Sequence, residues 1–156
     1  MKTKNESMYW AAITNTGIES IINSDLTTIQ IKLFLLLVTD FMDKETNTFV
    51  HSTTDIANQL NSENTFKISK PALYSALNKL QEEQLITPLP NTKGYMINPF
   101  IIYYGKSRNL TEKLVEFEKI TNLKFIDDIS NPLQNSKFKI SPQLFDQISG
   151  YHEIND

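Results

Sequence analysis

The chain has 156 residues, of which 40% are apolar and 21% charged, with 15 basic and 18 acidic side chains giving a net charge of −3. That length fits one domain with a core of its own, and the composition is that of a folded protein rather than a disordered one. The absence of cysteine excludes disulfides and thiolate metal sites, and the longest apolar run, Leu33 to Val38, is far below the ~20 residues of a membrane span.

With no signal-type stretch in the N-terminal MKTKNESMYW, the expectation is a cytoplasmic protein with no membrane partner. Its charge is unevenly distributed. Residues 1–65 hold four lysines against eight acids, 66–109 hold five lysines and one arginine against two acids, and 110–156 hold five lysines against eight acids. A basic middle on an acidic chain is compatible with a focused polyanion footprint, because attraction to phosphate is local.

In chain order, residues 8–23 carry Met8, Ala11, Ala12, Ile18, Ile21 and Ile22 in a helical pattern interrupted at Gly17. Asp25 can cap a second helix whose broad stripe of Ile29, Leu33, Leu36 and Leu37, widened by Phe34, Val38 and Phe41, belongs in a core. That helix should stop near 43–46, and Thr48 to Val50 then reads as a short strand. Ser52 and Asp55 stand at capping-box spacing before a short helix with Ile56, Ala57 and Leu60 on one face. After a polar connector, Ser69 can cap a further helix with Pro71 in its first turn. Its inner stripe is Leu73, Ala76, Leu77 and Leu80; its outer face is Lys70, Ala72, Tyr74, Ser75, Asn78 and Lys79. Leu85 to Thr87, a turn at Pro90 to Gly94, and Tyr95 to Ile97 complete a hairpin. Pro99 then ends strand pairing, and Phe100 to Tyr104 leave the hairpin either to cover the core or to start a partner surface.

This order, helix, strand, helix, helix, strand, turn, strand, predicts a mainly α protein with a small β-hairpin, a winged helix-turn-helix with added N- and C-terminal helices. The boundaries are 1–24 for an N-terminal helical extension, 25–106 for the winged helix and 107–156 for a C-terminal helical extension. Ile68 to Ile86 is similar to the recognition helix and wing entry of bacterial winged-helix regulators. Gly94-Tyr-Met-Ile-Asn-Pro99, with Gly105 downstream, resembles a segment of RepL-like plasmid replication initiators.

The resemblance implies a sequence-specific binder of double-stranded DNA, a plasmid or phage replication initiator that recruits host replication proteins. A transcriptional regulator or a protein-interaction module on the same fold are the alternatives. On this view Ser69 fixes the helix start and offers amides to a phosphate. Lys70 and Lys79 contact phosphates, Asn78 and Ser75 reach base edges, Ala72 makes apolar contacts, and Tyr74 meets a phosphate or sugar. Asn91, Thr92 and Lys93 form the wing tip. A helix capped by Asn109 presents Leu110, Leu114, Phe117 and Thr121 on one side, either to pack on the domain or to form a homodimer. A short helix over Leu144, Phe145 and Ile148 follows.

No catalysis, cofactor or metal is expected. Tyr104-Gly-Lys-Ser107 has only the tail of a phosphate-binding loop, with Phe100 where the first glycine is required. His51 and His152 are a hundred residues apart, and the pairs Glu82-Glu83 and Asp127-Asp128 are sequence neighbours with no nucleophile beside a base.

Overall fold

The computed structural model describes residues 11–63, 66–104 and 110–123. The expected features at Met8, Gly105 to Asn109, Asp127-Asp128, 141–150 and His152 lie outside them. The architecture is mixed α and β, and among the described residues no helix is long and apolar enough to cross a membrane.

The first element corrects an expectation. Ala11–Ile13 is a strand, β1, and only Asn15–Ile22 is helical, α1. Thr14 forces the change: it is extended, its hydroxyl accepts from the Gly17 amide at 2.8 Å, and it donates to the Phe100 carbonyl at 2.8 Å. Gly17 does not interrupt the helix. It is buried within α1, where a Cβ would lie 2.8 Å from the Ile101 carbonyl oxygen, so glycine allows the close approach.

The next helix, α2 (Thr28–Leu36), is capped by Thr27 rather than Asp25. Thr27 and Gln30 form a reciprocal capping box that the aspartate, two residues earlier, cannot make. One π-helical turn, Leu37–Phe41, prolongs α2 and shifts the stripe, burying Leu33, Phe34, Leu37, Val38 and Phe41. Ile29, expected in that stripe, is 59% exposed.

Then follow β2 (Thr48–Phe49), α3 (Thr53–Ser62), α4 (Lys70–Glu82), β3 (Ile86–Pro88) and β4 (Tyr95–Ile97). The three strands form one antiparallel sheet in the order β2-β4-β3, with Ile86 opposite Ile97 and Phe49 opposite Tyr95. Ile56, Leu60, Leu73, Leu77 and Leu80 meet the α2 stripe and Ile97 in the main core. Period-2 alternation sends Met96 to the opposite face of the sheet, into a second apolar cluster.

Asn98 and Pro99 explain how the chain leaves the hairpin. Asn98 is fully buried; its side chain donates to the Gln84 carbonyl at 2.8 Å and accepts from the Phe100 amide at 2.9 Å. Its own carbonyl accepts from Ile101 at 3.0 Å, so residues 98–101 turn the chain, with Pro99 placed where its fixed φ suits a turn. The chain then forms β5 (Ile102–Tyr104), which pairs with β1. This ladder joins the expected N-terminal extension to residues of the expected central unit.

Finally α5 (Leu110–Thr121) closes the second cluster. Leu110, Leu114 and Phe117 are no more than 1% exposed and pack with Met96, Phe100 and Tyr103. The stripe set down for packing or dimerisation is thus covered within one chain. Thr121 is half-buried and donates to the Phe117 carbonyl at 2.8 Å.

Candidate nucleic-acid interface

Local chemistry sets the start of α4. Ser69 is extended and its hydroxyl accepts from the Ala72 amide at 3.3 Å, while Pro71 occupies the first turn, where an amide would have no partner. The connector before it is held by Asn61, whose side chain donates to the Ile68 carbonyl at 2.9 Å and accepts from the Ile68 amide at 3.0 Å. With Ile68 buried in the core, α4 is positioned without a glycine turn. At the start of α3, the Ser52 hydroxyl donates to Asp55 at 2.6 Å and holds that carboxyl below the usual range.

Burial of Leu73, Ala76, Leu77 and Leu80 leaves the other side of α4 to solvent. Ser69, Lys70, Ala72, Tyr74, Ser75 and Asn78 are all exposed, Tyr74 by 53%. Lys79 differs from the expected free cation. It is only 29% exposed and its ammonium lies 3.6 Å from both Glu82 and Glu83. The outer face, expected to be almost free of acid, is so only over its first two turns.

The hairpin supplies a second group. The Leu89 amide donates to the Gly94 carbonyl at 2.9 Å, closing a turn in which Asn91 has φ 62°. Asparagine tolerates that left-handed conformation better than most residues. Asn91, Thr92 and Lys93 are exposed at its tip. Gly94 is buried at its base, where a Cβ would meet the Phe49 carbonyl oxygen at 2.5 Å.

Two residues outside the sequence-based set, Tyr95 and Val50, adjoin Gly94 at the base of the hairpin. Tyr95 stacks on Phe49 with centroids 5.4 Å apart. Burial raises its phenol pKa, and the Tyr74 phenol raises it further. Val50, 66% exposed, follows β2 beside Gly94. The strand alternation that turns Tyr95 and Ile97 toward α4 carried the signal for the first; a valine just past a strand carried none for the second.

Among the described residues no group of three or more histidine, cysteine, aspartate or glutamate side chains is placed to hold a metal ion. His51 sits edge-on to Phe41 at 5.1 Å. No family model matches the chain, and no similar curated protein or solved structure was found.

Proposed function

We propose that the chain is a winged-helix protein that binds double-stranded DNA with the first two turns of α4 and the β3–β4 turn. The observation that carries the reading is an exposed helix face, acid-free over its first two turns, on a helix that packs against β3, whose hairpin carries an exposed tip. The element order α2, β2, α3, α4, β3, β4 and the strand order β2-β4-β3 support it, since they suit a helix that enters a major groove beside a hairpin that meets the backbone. Exposed Lys67, Lys70 and Lys93 supply attraction to phosphate, and Ser75, Asn78 and Tyr74 offer hydrogen bonds to bases or sugars.

The role assigned is initiation of plasmid or phage replication, by binding origin DNA and recruiting host replication proteins. It rests on the resemblance of Gly94 to Pro99, and the function requires binding only, with no catalytic step. An adjacent origin with repeated sites would support it, whereas a neighbouring divergent promoter would favour a transcriptional regulator.

One observation favours a second reading, a winged helix that docks a protein. Lys79 is paired with two glutamates and the α4 face has no arginine, the residue best suited to read guanine. A gel shift with a mixed-sequence duplex at low salt separates the two. Retardation that Lys70→Glu and Lys93→Glu weaken supports DNA binding; no retardation of either protein supports the docking module.

A further inference from the structure

The placement of Glu82 and Glu83 is not explained by helix stability. Acids in the last turn oppose the helix dipole, and a lysine preceding a glutamate by four residues is the less favourable order of the pair. Both apply to α4, whose carboxylates follow Lys79 by three and four residues at its C-terminal end. Glu82 also lies four residues beyond Asn78, so it ends the row Lys70, Tyr74, Asn78, and it is 69% exposed.

From this placement, and resting on the reading of α4 as the DNA-contacting helix, we propose that Glu82 and Glu83 occupy Lys79 and limit the sequence-independent attraction of α4 for phosphate. The two carboxylates neutralise the cation nearest the end of the contact face. The remaining charge then favours phosphate at the N-terminal turns, near Lys70, and opposes it at the C-terminal end. Such a device lowers binding to arbitrary DNA while leaving the polar contacts of Tyr74, Ser75 and Asn78 untouched, so it raises the ratio of specific to non-specific binding.

The test is fluorescence anisotropy with a labelled mixed-sequence duplex from about 50 to about 200 mM KCl, with thermal melting to confirm folding. The double variant Glu82→Gln/Glu83→Gln should melt no lower than the wild type. It should bind about five- to tenfold more tightly near 0.1 M salt, with the slope of log K against log salt steeper by about 0.9, the value of one added phosphate contact. Adding Lys79→Gln to that variant should return the slope to the wild-type value and remove most of the gain in affinity, and Lys79→Gln alone should leave the wild-type slope unchanged. If Lys79→Gln alone flattens the wild-type slope by about 0.9, the lysine already contacts DNA and the proposal is overturned. It is equally overturned if the double variant binds as the wild type does. Absence of binding by every protein at about 50 mM salt removes the DNA reading itself, and this proposal with it.

Discussion

Gln84 occupies a left-handed position after a helix, one that glycine usually fills. It follows α4 with φ 62°, the Leu85 amide donates to the Leu80 carbonyl at 2.9 Å, and the Gln84 amide donates to Gln81 at 3.0 Å. This pair of bonds satisfies the last carbonyls of the helix as a Schellman motif does. A side chain in the left-handed region costs about 1 kcal/mol, which the Asn98 bond to the Gln84 carbonyl helps to offset. Since only the backbone of Gln84 is used, Gln84→Gly should raise stability by about 1 kcal/mol, read as a higher urea midpoint at unchanged m-value. A lower midpoint would mean that the glutamine side chain contributes more than its backbone strain costs.

At the scale of elements, the seating of α5 depends on one buried cation. Lys113, 3% exposed, donates to the Lys44 carbonyl at 2.8 Å and to Asn47 Oδ1 at 3.2 Å. Asn47 in turn donates to the Ile102 carbonyl at 2.9 Å, linking α5, the turn before β2, and β5. Burial lowers the Lys113 pKa from 10.5 to about 8, although Glu45 and Asp43 draw it upward. The unfolded chain therefore holds this proton more tightly, and its contribution to stability rises with pH from about 8 toward 10.5. Tyr103, raised above its ordinary 10.0 by burial, acts in the opposite sense: above pH 10 the unfolded state loses its phenolic proton first and stability falls. Urea titrations across this range should show stability rising between pH 8 and 10 and then declining. In Lys113→Met the rise should be absent; a wild-type profile that is flat or falling from pH 8 would show that the ammonium is not buried as described.

The same element decides what its apolar stripe does. Because Phe117 is fully buried beside Phe100, with centroids 6.5 Å apart, Phe117→Ala should cost about 3 kcal/mol or more at any protein concentration. If the stripe instead served a dimer, the melting temperature of the wild type would rise with concentration and the variant would lose that dependence.

Across the whole molecule, what could be read in the sequence was whatever is encoded locally. Ser52 with Asp55, Ser69 with Pro71, and the stripe from Leu73 to Leu80 each specify a helix within a few residues, and the structure has those helices. The β1–β5 ladder could not be read this way, because it pairs Ala12 with Tyr103 over three residues per strand and is chosen by tertiary contact. Lys113 was missed for another reason. It stands three residues after Leu110, on the buried stripe itself, yet a lysine is ordinarily a surface residue, and nothing in sequence announces the carbonyl of Lys44 that receives it. For the candidate interface, the exposed residues of α4 and the hairpin tip were legible from periodicity. The pairing of Lys79 with Glu82 and Glu83 is present as spacing, but spacing does not say whether the ammonium turns to those carboxylates or to a phosphate.

The measurement that bears most directly on the central claim is the salt dependence of duplex binding by the wild type and by the double variant Lys70→Gln/Lys93→Gln. If the face of α4 and the hairpin tip meet DNA phosphates, wild-type affinity falls steeply with salt, and the variant binds more weakly with a slope shallower by about 1.8, two contacts at about 0.9 each. Equal slopes for the two proteins, or no binding at low salt, would contradict it.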